Sequence, residues 1–120
     1  MAYIKQDNPV RIPTGDDKII EEHFGKLSAH AGELSIAHMV APPGWSEPYQ
    51  QPGFDEFTLV SEGKKMIEVD GEKITLLAGQ SILVKKGSRV RYSNPFDAPC
   101  NYWSVCIPAF TPETANRDDE

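Results

Sequence analysis

The sequence predicts one all-β domain, an antiparallel β-barrel or jelly roll, from three observations. Short segments of alternating apolar and polar residues recur along the chain, turn residues separate them, and helical periodicity is nearly absent. The 120 residues suffice for one domain, and nine glycines and ten prolines fit a chain rich in turns. We expect a single domain over residues 1–120, with a barrel over about 18–110. The acidic tail, residues 111–120, is either frayed or laid across a neighbouring surface.

The predicted strands follow in chain order. Residues 18–24 form a candidate outer strand, and residues 34–40 alternate with period two until Pro42. Asp70-Gly71 favours a type I′ hairpin between the segments 64–69 and 72–77, because both turn positions need positive φ. The other segments are 56–61, 81–84, 90–93 and 101–107. Such strands must close or pack as two sheets, because a lone sheet leaves an apolar face wet and its edges unpaired.

Charge and composition exclude several classes of partner. The net charge of −6 gives a surface that repels phosphate backbones, so we expect no nucleic-acid partner. No segment has the roughly 20 apolar residues that span a bilayer, and the first 15 residues lack a signal-peptide pattern. Cys100 and Cys106 lie about 20 Å apart on one predicted strand, too far for a disulfide. We therefore expect reduced thiols, a cytoplasmic protein and no membrane partner.

Two spaced motifs give the most specific signal in the chain. The first consists of Gly44, Glu56 and Gly63, with Gln50 and Pro52 between them, and the second of Gly79, Lys85, Gly87, Val90 and Asn94. In spacing, these residues resemble the two motifs of the cupin superfamily, in which histidines stand at positions 50, 52 and 90. The resemblance implies a cupin-type double-stranded β-helix covering roughly residues 35–109. The matching glycines and asparagine shape the backbone, whereas the substituted positions are those that hold metal.

A second set of residues is similar to the histidine-poor ethanolamine-utilisation accessory cupins. It comprises Tyr49, Asp55-Glu56, Val60, Glu62-Gly63, Lys86-Gly87-Ser88 and Pro108-Ala109. The acyl-phosphate chemistry proposed for that family does not transfer, because the sequence has no Gly-rich loop with a lysine to cradle a phosphate. Cupins also often form homodimers, so the resemblance implies a homodimer here.

The resemblance implies a degenerate metal site. A typical cupin binds a divalent metal through three imidazoles and one carboxylate, and only Glu56 remains of that set. We predict no tightly bound metal cofactor, although a weakly held divalent ion remains an alternative through His38, Gln50 and Glu56. His38 shares a predicted face with Leu34, Ile36 and Val40, where it is either such a ligand or a hydrogen-bonded core residue.

Glu56 is the candidate catalytic residue. A carboxylate in an apolar cavity either orients a ligand or transfers a proton with a raised pKa, or else it pairs with Arg91 or a tyrosine. The candidate ligand-binding residues are His38, Tyr49, Gln50, Tyr92 and Tyr102. Tyr102, Ser104 and Cys106 face either the cavity or water, and the alternate set Trp103, Val105 and Ile107 is interpreted as core packing.

Three hypotheses about function follow. The first is a cupin that binds a small-molecule ligand and acts, if it is an enzyme, through Glu56 without a tightly held metal. The second is a metalloenzyme of the dioxygenase, isomerase or lyase kind that uses His38, Gln50 and Glu56. The third is a non-catalytic dimeric accessory protein whose cavity is filled by side chains.

Overall fold

The computed structural model describes residues 2–26, 28 and 33–118. Within these ranges the chain forms strands and one short helix. The elements are β1 Val10–Arg11, β2 Ile19–Phe24, β3 Ser35–Ala41, β4 Asp55–Glu62, β5 Lys64–Val69, β6 Glu72–Leu77, β7 Ser81–Val84, β8 Val90–Ser93, β9 Cys100–Ile107 and α1 Pro112–Ala115. The predicted strands are all present, and β1, which has only two residues, is an addition.

The strands form two antiparallel sheets. The larger sheet has the order β1-β2-β3-β9-β4-β7, and the smaller one has the order β6-β5-β8. Asp70 and Gly71 both have positive φ, 48° and 88°, as the predicted type I′ hairpin between β5 and β6 requires. The predicted all-β fold class is confirmed.

The core lies between the two sheets, where inward-facing residues of both meet. Its buried members are Ala41, Trp45, Val60, Ile67, Leu76, Val84, Val90, Tyr92, Cys100 and Tyr102. The interpretation of β9 was wrong: Tyr102, Ser104 and Cys106 face inward, and Trp103, Val105 and Ile107 face outward. The reason is register, since Tyr102 pairs with Val60 of β4, which is fully buried.

Asn94 ties the loop after β8 to the end of β3. Its buried Nδ2 donates hydrogen bonds to the carbonyl oxygens of Ala41, Pro42 and Ala98, at 3.1, 3.2 and 2.9 Å. Its Oδ1 accepts a hydrogen bond from the backbone N–H of Phe96 at 3.2 Å. The motif asparagine therefore fixes a bend between two strands.

The end of the chain is laid across the barrel. Thr111 caps α1, whose Ala115 is fully buried, and the Asp118 N–H donates to the Tyr49 carbonyl at 2.8 Å. As far as Asp118, the tail is therefore laid across a neighbouring surface and not frayed. Residues 119–120 lie outside the described ranges. Cys100 and Cys106 are free and buried. In the ranges that the structure describes, no helix is long and apolar enough to cross a membrane.

Gly63 provides a test of the barrel frame. It has φ of +81°, and a Cβ at this position would meet the Pro99 carbonyl oxygen and the Cys100 Cα. Gly63→Ala should lower the free energy of unfolding by about 3 kcal/mol, from backbone strain and collision together. Gly79→Ala is the matched control, because its φ is +86° but nothing lies within 4 Å of the added Cβ. Urea unfolding measures both, and equal losses would contradict this account.

Candidate functional site

A cavity of about 60 Å³, which opens to the surface, lies inside the barrel between the two sheets. Its walls come from the inward faces of β2, β3, β4, β5, β8 and β9, the loop before β4 and the tail. The polar lining residues are Lys18, Glu22, Ser35, Glu47, Gln50, Glu56, Lys65, Tyr92, Tyr102, Ser104 and Arg117. This pocket is therefore both enclosed and rich in ionisable groups.

Glu56 sits on the inward face of β4, and its residue is 8% exposed. Its Oε2 accepts a hydrogen bond from the Ser104 Oγ of β9 at 2.6 Å. Arg91, a predicted alternative partner, instead donates from Nε to the Glu47 carbonyl oxygen at 3.1 Å. A buried carboxylate held by a neutral hydroxyl rather than a cation can take part in proton transfer.

Lys65 is the deepest cation in the barrel. It lies on the inward face of β5 with 1% exposure, and its Nζ is 3.3 Å from the ring centroid of Tyr102 and 4.3 Å from that of Tyr92. Burial, followed by the charge of Lys18, lowers its pKa to about 7, against the opposing effect of Glu56 and Glu47. Its amine is therefore partly neutral near pH 7.

Lys18 and Glu47 face each other across the pocket mouth. The Lys18 Nζ lies 4.0 Å from the Trp45 ring centroid, and burial lowers its pKa. Burial raises the pKa of Glu47, although Lys18 and Arg117 act against it. Opposite shifts of an acid and a base bring both towards their neutral forms, which reduces the cost of keeping them out of water.

Arg117 brings the tail to the pocket. Its Nε donates to the Gln50 Oε1 at 3.2 Å, and its Nη2 lies 3.7 Å from the Glu47 Oε2. Beyond the pocket, Arg89 and Asp118 form an ion pair that raises the pKa of the guanidinium and lowers that of the carboxyl group, mainly by hydrogen bonding. The tail is thus part of the pocket wall.

Two tyrosines, Tyr92 and Tyr102, supply phenol hydroxyl groups to the pocket. Both hydroxyls are buried, and among the described residues neither has a hydrogen-bond partner of good distance and angle, although the Tyr92 hydroxyl lies close enough to Glu56 for that carboxylate to contribute to its raised pKa. Burial, and then the charges of Glu56 and Glu47, raise both pKa values well above the usual range. Both phenols stay protonated and can donate a hydrogen bond to a ligand.

The structure brings together four of the predicted site residues and leaves two elsewhere. Gln50, Glu56, Tyr92 and Tyr102 line the pocket. His38 is a correction: it lies on the outer face of β3, 4.9 Å from the Trp103 ring, with Nδ1 3.9 Å from the Glu21 Oε1. The pocket face of β3 carries Ser35, Ala37 and Met39, so the alternation of the strand turns His38 away.

Tyr49 also lies away from the pocket. Its hydroxyl donates to the Glu68 Oε2 at 2.6 Å, and Arg89 and Arg91 stack against its ring at 4.7 and 5.3 Å. The loop turns this side chain outward although the adjacent Gln50 faces inward. The expectation that Tyr49 lies with the other ligand-binding residues is therefore not met.

The residues at the metal positions do not fit a divalent ion. Gln50 accepts from Arg117, Pro52 and Val90 have no donor atoms in their side chains, and only Glu56 offers a carboxylate. Lys18, Lys65 and Arg117 add positive charge around that carboxylate, which opposes a cation. Over the described residues, no group of three or more histidine, cysteine, aspartate or glutamate side chains is placed to hold a metal ion.

The charged pocket residues missed by the sequence interpretation are Lys18, Glu22, Glu47, Lys65 and Arg117. A signal existed for Lys65, which shares the face of Ile67 and Val69 in the strand 64–69 and so is a lysine on an apolar face. Lys18 and Glu22 lie in the predicted strand 18–24, whereas Glu47 and Arg117 lie in segments without strand periodicity. Their placement depends on contacts made across the fold.

Comparisons with known proteins agree with this fold. Residues 37–107 match the family model described as the cupin domain. Two structures of the Streptomyces protein PAC13 with uridine have TM-scores of 0.77 and 0.76, at 12% and 11% identity. They cover 98% and 99% of this chain and 92% of each neighbour. A putative ethanolamine utilization protein from Salmonella typhimurium has a TM-score of 0.61 at 19% identity, over 78% of this chain and 71% of that one.

A curated relative matches along nearly the whole chain. It is named endoribonuclease YbeY, from Myxococcus xanthus, and is 47% identical over 124 residues. The alignment covers 98% of this chain but only 42% of the relative. The name describes a protein more than twice as long as the matched region.

The buried lysine predicts an unusual pH dependence of stability. Folding lowers the Lys65 pKa from 10.5 to about 7, so between these values the unfolded chain binds more protons. Wild-type stability should rise from pH 7 to 9, by at most about 1.4 kcal/mol per pH unit. Lys65→Met should lack this contribution, whereas Lys64→Met, on the exposed face, should retain it. Urea unfolding at each pH tests this, and parallel curves for wild type and Lys65→Met would contradict it.

Proposed function

The chain belongs to the cupin domain family, and from that premise we propose that its barrel binds a small, uncharged polar molecule without a metal cofactor. One observation carries the proposal. Glu56, Lys65 and two tyrosine hydroxyls lie together in one pocket, where the hydroxyls lack partners among the described residues. Such groups are costly to bury unless a ligand uses them.

The charge balance of the pocket supports an uncharged ligand. The described lining includes three cationic residues, Lys18, Lys65 and Arg117, and three acidic residues, Glu22, Glu47 and Glu56. A ligand with net charge would upset this balance in a region of low dielectric constant. Hydroxyl, carbonyl and amide groups match the donors and acceptors that line the pocket.

Proton transfer is the chemistry that this arrangement favours, if the protein is an enzyme. Glu56 accepts from Ser104, which orients one carboxylate oxygen and leaves the other for a ligand. The protonated phenols of Tyr92 and Tyr102 can stabilise negative charge that develops on a ligand oxygen. Each role is filled by a side chain of this protein, so no metal is needed as Lewis acid.

The ligand class follows from one comparison. The two PAC13 structures contain uridine, a neutral molecule rich in hydroxyl and carbonyl groups. The enclosed cavity of about 60 Å³ is small, so a ligand of the size of uridine must also occupy the open mouth of the pocket. We therefore choose uridine as the first ligand to test. Endoribonuclease activity is not part of the proposal, because this pocket lacks the basic field that attracts RNA and the chain has a net charge of −6.

Glu56 should be required for uridine binding. Isothermal titration should show uridine bound by the wild type and at least about tenfold weaker binding by Glu56→Gln, equal to about 1.4 kcal/mol. Glu62→Gln, an exposed glutamate at the end of the same strand, should bind as the wild type does. Absence of binding to the wild type would contradict the nucleoside ligand, and equal binding by Glu56→Gln would contradict the role of Glu56.

The metal content of purified protein separates this proposal from a cupin metalloenzyme. Elemental analysis after purification without chelators should give iron, zinc, nickel and manganese well below one ion per chain. A variant that combines Gln50→His, Pro52→His and Val90→His restores the three imidazoles beside Glu56 and is the positive control. A stoichiometric ion in the wild type would refute the metal-independent site.

The proposal also includes a cytoplasmic homodimer, formed through the outer face of the larger sheet. Phe57 and Leu83 pair across β4 and β7 on that face, and each is 42% exposed. Leu59 and Ile107 extend the same exposed apolar surface. A patch of this kind on one sheet face is typical of protein interfaces.

Light scattering after size exclusion should give twice the chain mass for the wild type. Phe57→Arg should shift the protein towards the monomer, because a guanidinium would be buried without a partner in the interface. Leu77→Arg, on the smaller sheet, is the matched control and should stay dimeric. A wild type that is monomeric at micromolar concentration would contradict the dimer.

A further inference from the structure

The barrel places Lys65 where lysine is seldom found. Lysine is almost never fully buried without a charged partner, yet Lys65 is 1% exposed and the adjacent Lys64 points outward. In the described part of the chain, no carboxylate oxygen lies within the 4.0 Å of an ion pair from its Nζ. The amine is therefore not used as half of a structural salt bridge.

The groups that face the amine come from every wall of the pocket. Aromatic rings lie against it from β8 and β9, a second lysine comes from the segment before β2, and acids come from β4 and the preceding loop. They are Tyr92, Tyr102, Lys18, Glu56, Glu47 and the Cys100 thiol. Burial and Lys18 favour the neutral amine and lower its pKa to about 7, while both glutamates favour the charged form. At pH 7 roughly half of the Lys65 side chains carry a free lone pair.

We propose that Lys65 captures a carbonyl-bearing ligand as an imine inside the pocket. The amine nitrogen forms a bond to the carbonyl carbon, loses two protons and becomes C=N, while the carbonyl oxygen takes up two protons and leaves as water. The reaction is a condensation, so it needs no oxidant or reductant. The imine proposal rests on the proposed function, because the aldehyde or ketone must enter the same pocket.

The neighbouring side chains suit this condensation. The Tyr92 and Tyr102 hydroxyls, buried and without partners among the described residues, can donate to the carbonyl oxygen as it becomes the leaving group. Glu56, held by Ser104, can relay the protons that move from nitrogen to oxygen. The equal numbers of cationic and acidic residues in the described lining also favour an uncharged carbonyl compound.

Reductive trapping tests the imine directly. The folded wild-type protein is treated at pH 7 with glycolaldehyde and sodium cyanoborohydride, and modified lysines are identified by intact mass and peptide mapping. Lys65 should be modified at least about tenfold faster than Lys64, because an ordinary exposed amine is almost entirely protonated at this pH. Lys65→Met should lose the fast modification, and Lys64→Met should keep it. Modification spread over exposed lysines with Lys65 left intact would overturn the proposal.

A second measurement uses only the wild type, in case Lys65→Met does not fold. Modification of Lys65 between pH 6 and 8 should rise and then level off above its pKa of about 7, whereas exposed lysines should keep gaining reactivity. A Lys65 rate that climbs in parallel with exposed lysines would overturn the proposal.

Competition with uridine separates failure of this inference from failure of the proposed function. Saturating uridine should slow the modification of Lys65 and leave Lys64 unchanged. If uridine binds but Lys65 is never modified, the imine is wrong and the binding function stands. If Lys65 is modified rapidly but uridine does not bind, the nucleoside ligand is wrong and the imine stands.

Discussion

Burial of the Lys65 amine inside the barrel is the constraint to which the rest of the pocket responds. A lysine without a carboxylate at ion-pair distance in the described chain must be accommodated in other ways. The faces of Tyr92 and Tyr102 supply cation–π stabilisation, and Glu56 and Glu47 supply longer-range attraction. The remaining cost appears as a lowered pKa. The tyrosine rings and the glutamates favour the ammonium form of Lys65, whereas burial and Lys18 favour the neutral amine that the proposed imine requires.

This chain keeps the cupin motif residues that shape the backbone but has other residues at the motif positions that bind metal in a typical cupin. Asn94 and Gly63 keep their backbone roles, as the Asn94 hydrogen bonds and the space at Gly63 show. Two of the metal positions make contacts within the protein. Gln50 and Val90 exchange backbone hydrogen bonds, and the Gln50 side chain accepts a hydrogen bond from Arg117. The pocket is lined here by side chains of both charge signs.

The pocket is assembled from distant parts of the chain, from Ile12 to Arg117. Arg117 reaches Glu47 and Gln50 only because α1 and the Asp118 backbone contact hold the tail across the barrel. A ligand that contacted Glu47 would therefore also affect the residues that hold the tail. The exposed apolar surface around Phe57 lies on the opposite side of the same sheet, so a dimer contact there leaves the pocket mouth clear.

The sequence by itself determined the strands and the Asp70-Gly71 hairpin, because alternation and turn chemistry are local. The resemblance of two spaced motifs to the cupins pointed to Gln50 and Glu56, alternation grouped Tyr92 with Val90, and the direction in which Tyr102 faces stayed open. The sequence did not determine which face of a strand points inward. His38 was grouped with the pocket because its own face is apolar, and the register of β3 with β9 turns that face outward. The loop before β4 and the tail have no periodicity, so Glu47 and Arg117 were placed by tertiary contacts alone, and Lys18, the first residue of the predicted strand 18–24, enters the pocket just before β2. Within a strand, period two divides residues into two sets, and only pairing with neighbouring strands decides which set is buried.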